Sequence, residues 1–439
     1  RGNRIHSFRG VSELPSSLEI LDLSENKIVN WDDASQFPAN LKLLRICASD
    51  PNISKAMQES QPDFGFKVDY ECSEISNISM VHDSIEGGDD LCIILKSGSI
   101  SCNDEKNSEL INAAGNIDFI DLANSKTGHS CAVLANGQVS CWGSGSRGQL
   151  GNGELADSKY PVTVKNIAGT GPLLNVKEVA VGAQHTCALL ENQTVKCWGL
   201  QGDGLLGNGK SEFGKVSVPT AVDGIDNAIQ IATGGSHSCA LLDDQGVKCW
   251  GYGGAGQLGV WGVGSYPESL LFHKNLPVTV MIEKNVRQLA LGRSVSCALM
   301  NDKTVQCWGG GSKGKLGRGD TEDGITPSEV KNLTNVKKIV VGDSHSCALM
   351  EDKTVKCWGS AEDGRLGVGA SNDQLIPANV IYSQVPFAQD LEISSAKDIA
   401  VGLASSCALL EDDSIFCWGR GYSEVWADGT SRSGKFVRL

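Results

Sequence analysis

Between residues 92 and 417 the hydrophobic and polar positions recur in one short pattern: an apolar run, a polar or glycine-containing turn, and a second run in which Val alternates with polar side chains. The cleanest copies read CAVLANGQVSC from Cys131, CALLENQTVKC from Cys187, CALMNDKTVQC from Cys297 and CALMEDKTVKC from Cys347. Two strand-forming runs joined by so short a turn predict a β-hairpin. Cysteines ten residues apart bracket each hairpin, at Cys92/Cys102, Cys131/Cys141, Cys187/Cys197, Cys239/Cys249, Cys297/Cys307, Cys347/Cys357 and Cys407/Cys417.

The register follows from the turn. With Ala135-Asn136-Gly137 as the turn, Leu134 and Gln138 close it, and Cys131 falls opposite Cys141. Counting outward makes the cysteines a non-hydrogen-bonded pair with Cα atoms roughly 4.5 Å apart, within disulfide reach. Closing a loop of about ten residues contributes at most on the order of 2.5 to 3 kcal/mol in the chain-entropy model. Several such bridges rival the roughly 5 to 15 kcal/mol stability of a whole domain.

The hairpin sits in a longer unit, with successive first cysteines 39 to 60 residues apart, a period that means propeller or solenoid. A strand ending in glycine precedes it, as in NVKEVAVGAQHTC from Asn175 and NVKKIVVGDSHSC from Asn335. A glycine-rich turn follows, as in WGSGSRGQLGNG from Trp142 and WGGGSKGKLGRG from Trp308, and then a Pro-containing strand such as Pro161-Val-Thr-Val164. The unit therefore has roughly four strands. No segment shows sustained helical periodicity, and 52 glycines suit a turn-rich all-β chain.

Composition adds the compartment. Sixteen cysteines, fourteen in matched pairs, point to a secreted, periplasmic or cell-surface protein. Zinc is the competing reading, since His129, Cys131 and Cys141 share a face. Against it, the His position is filled only at His129, His185, His237 and His345, with Asp90, Val295 and Ser405 elsewhere, and no C-x2-C occurs. Cys47 and Cys72 remain as candidates for an eighth bridge. The net charge of −14 is spread without an acidic block and no Lys/Arg-rich run occurs, which argues against a nucleic-acid partner. No apolar stretch reaches the roughly 20 residues of a membrane span. Because the chain opens on Arg1, we read it as a processed or truncated piece of a longer precursor.

The blocks H-[ST]-C-A-L, V-x-C-W-G and G-x-L-G-x-G, recurring in that order, resemble the repeat of the regulator of chromosome condensation family from about Asn77 to the C-terminus. The resemblance implies a seven-bladed β-propeller over 77–439. Its paired cysteines are similar to those of exported bacterial members and of extracellular propeller-like domains in plant receptor kinases. Two units depart from the pattern. The first, CIILKSGSISCNDEKN, has Asn103 and Asp104 in place of W-G and lacks the glycine turn; the last reads YSEVWADG where G-x-L-G-x-G is expected. Atypical ends are normal in a repeat array, and we expect Lys435 to Leu439 to pair with the first blade and close the ring. The glycines read as tight turns or close approaches, and the tryptophans as bulk between blades. Upstream, Leu18 to Asn26 fits L-x-x-L-x-L-x-x-N and recurs about 23 residues later. This resembles the leucine-rich repeat and assigns residues 1–50 to a fragment of such an array, with 51–76 as a junction.

Chemistry is sparse. A His shared by several units argues for a repeated structural hydrogen bond, since a catalytic His needs one unique environment. No nucleophile elbow, H-E-x-x-H or EF-hand motif is present, so we expect neither enzyme activity nor a cofactor or metal. Nucleotide exchange on the GTPase Ran and chromatin binding, the best known activities of the family, are opposed by the cysteines and the charge, and fold alone does not transfer function. The most distinctive local feature is the insertion between Gly259 and Pro277, with Trp261, Tyr266, Phe272 and His273. Aromatics on an extended loop of a rigid scaffold suit a protein or glycan contact; packing on their own blade is the alternative. A second long insertion, Ile376 to Ser394, is a weaker candidate for the same kind of contact. Three functions remain: a secreted or surface-attached binding or adhesion module, a structural subunit of an extracellular assembly or homo-oligomer, and an enzyme inhibitor of the kind a β-lactamase-inhibiting propeller exemplifies.

Overall fold

The apolar run that opens each hairpin lacks alternation because it is buried on both faces. His185–Leu190, His237–Leu242, Val295–Met300 and His345–Met350 are buried at every position. The turn that follows is the three-residue one: the Leu190 N–H donates to the Thr194 carbonyl at 3.0 Å, and the Gln193 N–H donates back to the Leu190 carbonyl at 2.9 Å. In this computed structural model residues 128–260, 273–381, 393–411 and 415–420 are described in full. Only the backbone is described at 20–22, 43–45, 67–69, 75–82, 89–95, 100–102, 119–124, 382, 391–392, 423–425, 431–433 and 435–437.

The chain divides into two compact units, Arg1–Glu74 and Ile75–Leu439. In the first, Ile20–Asp22, Leu43–Arg45 and Lys67–Asp69 pair side by side in a parallel sheet. No helix accompanies these strands among the described residues. The leucine-rich-repeat segment expected ahead of the propeller is thus corrected to three short parallel strands.

The second unit is an all-β propeller with six four-stranded blades. Each blade runs in chain order from an inner strand through the cysteine hairpin to an outer strand. Blade I is Phe119–Asn124, His129–Leu134, Val139–Gly143 and Ser158–Thr163; blade II is Val176–Val181, His185–Leu190, Val195–Gln201 and Gly214–Ala221. Blade III is Ala228–Thr233, His237–Leu242, Val247–Tyr252 and His273–Thr279; blade IV is Val286–Leu291, Val295–Met300, Val305–Gly309 and Gly324–Glu329. Blade V is Val336–Val341, His345–Met350, Val355–Gly359 and Gln374–Asn379; blade VI is Ala396–Val401, Ser405–Leu410, Ile415–Gly419 and Lys435–Val437.

The expected seven blades are corrected to six: among the described residues no seventh four-stranded blade forms. The unit around Cys92 and Cys102 forms only a three-stranded sheet, Ile75–His82, Asp89–Leu95 and Ile100–Cys102. Its sequence lacks the W-G and the glycine turn that carry the chain into an outer strand. The closure is corrected as well: Lys435–Val437 pairs with Ile415–Gly419 of its own blade VI, not with the first sheet. Instead, Ile75–His82 touches the inner strand of blade VI on one side and that of blade I on the other.

The core lies between blades, not inside them. One cluster joins Cys131, Val133 and Leu150 of blade I to Val176, Ala188 and Trp198 of blade II, and the same layering repeats around the ring. Six disulfides join directly opposed residues, one in each blade. Cys131 is bonded to Cys141, Cys187 to Cys197, Cys239 to Cys249, Cys297 to Cys307, Cys347 to Cys357 and Cys407 to Cys417, each pair with Cα atoms 4.1 Å apart. Their cysteines are buried. The seventh pair, Cys92 and Cys102, is opposed in register, whereas Cys47 and Cys72 lie outside the described residues.

Candidate functional site

The up-and-down course of each blade gives the propeller two unlike faces. The loop face carries the turn after each inner strand and the glycine loop after each third strand; the tip face carries the hairpin tips and the starts of the inner strands.

On the loop face each glycine loop is clamped by the next blade. Leu150, Leu206, Leu258, Leu316 and Leu366 of the G-x-L-G motif are buried, and the carbonyl just before each is the docking point. The Gln149 carbonyl accepts the indole N–H of Trp198 at 2.8 Å and the hydroxyl of Thr186 at 2.9 Å. The Gln257 carbonyl accepts Trp308 and Ser296, both at 2.9 Å.

The recurrent histidine completes this clamp. His129 Nε2 lies 2.9 Å from Thr186 Oγ1, His237 Nε2 2.8 Å from Ser296 Oγ and His345 Nε2 2.8 Å from Ser406 Oγ. Because these hydroxyls donate to loop carbonyls, they accept from the imidazole, which fixes the neutral Nε2–H tautomer. Burial lowers His129 from the usual 6.5 to about 3, helped by the charge of His185, and lowers His185 to about 4. A histidine held neutral, buried and repeated in blade after blade is a seam fastener. No group of three or more His, Cys, Asp or Glu side chains among the described residues is arranged to hold a metal ion.

The bridged cysteines serve the frame and present nothing to a ligand. Cys249, Cys307 and Cys357, the second members of the bridges in blades III to V, are 0% exposed. Each sits in an interblade layer: Cys249 with Trp308, Cys307 with Trp358 and Cys357 with Trp418. Binding must therefore use the loops outside these layers.

The loop face gains its individuality between blades II and III, where the 259–277 insertion is rooted. Trp261, Tyr266 and Phe272 lie outside the described residues. His273 opens the outer strand of blade III, paired with Tyr252, and its Nδ1 lies 3.8 Å from Oδ1 of Asp203 in the glycine loop of blade II. Asn275 donates to the Gly209 carbonyl of that loop at 2.7 Å. Phe213 closes the same loop beside Gly202, where an added Cβ would come within 2.6 Å of its ring. Phe213 is 77% exposed and Tyr252 is 40% exposed. The structure thus pairs one exposed aromatic, Tyr252, with His273, while a second, Phe213, belongs to the glycine loop whose Asp203 faces that histidine. Neither is legible as a site residue, because Phe213 sits alone among polar neighbours and Tyr252 reads as part of the recurrent Trp-Gly turn.

Residues 95–436 match the RCC1-like domain. The chain belongs to the RCC1-like domain family. It is 33% identical over 204 residues to the ultraviolet-B receptor UVR8 of Arabidopsis thaliana, covering 46% of this chain and 44% of that one. To the human probable E3 ubiquitin-protein ligase HERC6 it is 32% identical over 219 residues, 49% of this chain and 20% of the relative. The matched region thus spans less than half of either relative. Among solved structures, human WBSCR16 superimposes with a TM-score of 0.59 at 23% identity, over 76% of this chain and 85% of that chain. Yeast RCC1 (Prp20), solved with Kap60, gives a TM-score of 0.59 at 19% identity, over 75% and 78%. At these identities the two structures speak for the fold alone.

Across blades IV to VI of this RCC1-like propeller the loop face carries linked ion pairs. Lys313 lies 3.5 Å from Glu362 and 3.4 Å from Asp373, while Asp363 takes both Arg365 at 2.9 Å and Arg420 at 2.8 Å. This chain of ion pairs stitches blades IV to VI together. Phe213 and Tyr252 add exposed apolar surface to that face, and an RCC1-like propeller is a protein-interaction module.

Proposed function

We propose that this chain is an exported, non-enzymatic binding module that engages a protein through the loop face at the seam of blades II and III. The observation that carries this reading is the exposure of Phe213 and Tyr252, with Tyr252 paired to His273 at the root of the insertion bearing Trp261, Tyr266 and Phe272. Exposed aromatics on a rigid, disulfide-braced frame supply large contact area with little ordering cost. Six interstrand disulfides support an oxidising compartment, and no helix among the described residues is long and apolar enough to cross a membrane. The ligase activity in the human relative's name belongs to a chain of which this one matches only a fifth, so we propose no ligase activity. A solved yeast relative, Prp20p, is described by its binding to Gsp1p and histones, which favours a protein over a glycan as the ligand class.

Two measurements test the reading. Peptide mapping without reductant, on protein taken from its native source, should recover the six linked cysteine pairs; a fully thiol-bearing map overturns export. The second screens the oxidised chain against extracellular proteins and glycans of its source. A captured ligand should be lost by a variant carrying Phe213→Ala, Tyr252→Ala, Trp261→Ala and Tyr266→Ala whose melt is unchanged. Undiminished capture by that variant overturns the site.

A further inference from the structure

One contact on the loop face repeats from blade to blade, and blade IV departs from its neighbours there. The residue after Trp-Gly donates its backbone N–H to the carbonyl of the residue just before the second strand: Leu200 to Gln184 at 2.8 Å, Tyr252 to Ser236 at 2.7 Å, Gly310 to Ser294 at 2.8 Å and Ser360 to Ser344 at 2.9 Å. Of the serines Ser236, Ser294 and Ser344, only Ser294 faces a glycine across this contact. A Cβ on Gly310 would lie 2.7 Å from Ser294 Oγ. The hydroxyl of the half-buried Ser294 therefore has no side chain of residue 310 over that flank, where Ser236 meets Tyr252 and Ser344 meets Ser360.

The residue ahead of the buried loop leucine decides what each serine meets. In blade III, Gln257 turns back into its own loop, where Oε1 accepts the Ala255 N–H at 2.9 Å. In blade V, Arg365 Nη1 donates to Ser344 Oγ. In blade IV the residue is Lys315, 8% exposed, and its Nζ lies 3.4 Å from Ser294 Oγ. A guanidinium keeps its charge, whereas an amine can lose a proton and then accept one from the hydroxyl beside it. Burial is the largest influence on Lys315 and lowers its pKa; Asp343 and Asp323 pull it up, Arg293 pushes it down, and the balance is a lowering.

We propose that Ser294 is an acylation site, a serine nucleophile with Lys315 as its base, that takes the acyl group of a small activated carboxylic ester. A hydroxyl is a weak nucleophile until an adjacent base removes its proton, and a lysine serves as that base where its own proton is easily lost. In the step, neutral Lys315 Nζ accepts the hydroxyl proton as Ser294 Oγ bonds to the carbonyl carbon. The bond from that carbon to the alcohol oxygen then breaks, and the alcohol leaves with the proton from Lys315. The product is an ester on Ser294 and a free alcohol. Gly310 gives the acyl group room beside Oγ, and a small acyl group suits a residue that is only partly exposed. Acylation at blade IV requires no ligand at the aromatic surface, so either reading can fail without the other.

The test treats the intact oxidised chain with p-nitrophenyl acetate and maps acetyl-serine by peptide mass spectrometry over time. In the wild-type protein Ser294 should be acetylated at least about tenfold faster than Ser236 or Ser344. Its rate should rise with pH as Lys315 loses its proton and level off below the usual lysine value of 10.5. Lys315→Arg, which keeps the charge and most of the stem but cannot act as a base, should slow Ser294 at least about tenfold. If that variant does not fold, the comparison of Ser294 with Ser344 inside the wild-type molecule decides alone, because Ser344 already carries an arginine in the lysine's place. Equal rates at the two serines, acetyl found on Lys315 with none on Ser294, or undiminished acetylation of Ser294 in Lys315→Arg would each overturn the proposal.

Discussion

His185 Nε2 lies 2.8 Å from Ser238 Oγ across the seam between blades II and III, with both residues fully buried. Protonating this imidazole places a charge where no water reaches, which is why its pKa falls from 6.5 to about 4. The unfolded chain still protonates near 6.5, so at acid pH it binds the proton that the folded chain refuses. Stability is therefore complete above about pH 6.5 and is lost as the pH falls toward 4, by a few kcal/mol for this residue. His129, lowered to about 3, extends the loss further down. Urea melts at pH 7 and pH 4.5 should show the decline. His185→Gln, which can still donate to Ser238 and does not titrate in this range, should flatten part of it; an unchanged slope would mean that this seam is not the acid-sensitive element.

The indoles allow a controlled comparison. Trp250 Nε1 donates to the Leu205 carbonyl at 3.1 Å, whereas the equally buried Trp418 Nε1 has no hydrogen-bond partner among the described residues. Replacing either by Phe removes similar apolar bulk, but only Trp250→Phe strands a carbonyl. We expect Trp250→Phe to cost about 1 to 2 kcal/mol more than Trp418→Phe. Equal losses in chemical denaturation would assign the role of the tryptophans to packing alone.

The same indoles explain which part of the fold is legible in the sequence. Cysteine spacing reports only the middle hairpin of a blade, so seven pairs predict seven blades. The structure builds a four-stranded blade where Trp-Gly follows the second cysteine, at Trp142, Trp198, Trp250, Trp308, Trp358 and Trp418. Trp-Gly is the better counter because it begins the segment that docks the loop and delivers the outer strand. The unit that has Asn103-Asp104 instead shows three strands among the described residues. The closure escapes the sequence for a related reason: a strand's propensity does not name its partner, and Lys435–Val437 takes the nearest open edge, in its own blade. Site residues are legible only where several aromatics are close in sequence. The glycine loop of Phe213 and the strand pair of Tyr252 are linked through the contact of Asp203 with His273, which no local pattern encodes.

Gly234, at the end of the inner strand of blade III, tests the spacing of the blades around the axis. A Cβ there would lie 2.3 Å from the Gly292 carbonyl oxygen of blade IV, a backbone atom that cannot swing aside. At Gly214, with nothing within 4 Å and no left-handed backbone, a Cβ meets open space. Gly234→Ala should therefore destabilise by roughly 1 to 3 kcal/mol or more, as overpacking does, and Gly214→Ala should leave the melt within about 0.5 kcal/mol of wild type. If Gly234→Ala melts like wild type, the inner strands are free to move apart.

Burial of the disulfides sets how the protein meets a reductant. Thiol exchange requires a thiolate to reach a sulfur atom, and the twelve cysteines of the six bridges are at most 1% exposed. Each bridge lies in a layer between blades, as Cys187 and Cys197 lie against Ile231 and Trp250. Attack must therefore wait for an opening of the seam, and the cost of opening, not the chemistry of the thiol, limits the rate. In native buffer with millimolar dithiothreitol, labelling of the released thiols should be slow and should not scale with reductant once exchange outpaces reclosing. In denaturant the same bridges should reduce at the rate of a simple peptide disulfide. After reduction each lost bridge should lower stability by at most about 2.5 to 3 kcal/mol, so partly reduced protein should melt in several steps as successive seams give way. Fast labelling in native buffer, proportional to dithiothreitol, would show that the sulfurs are reached without opening a seam.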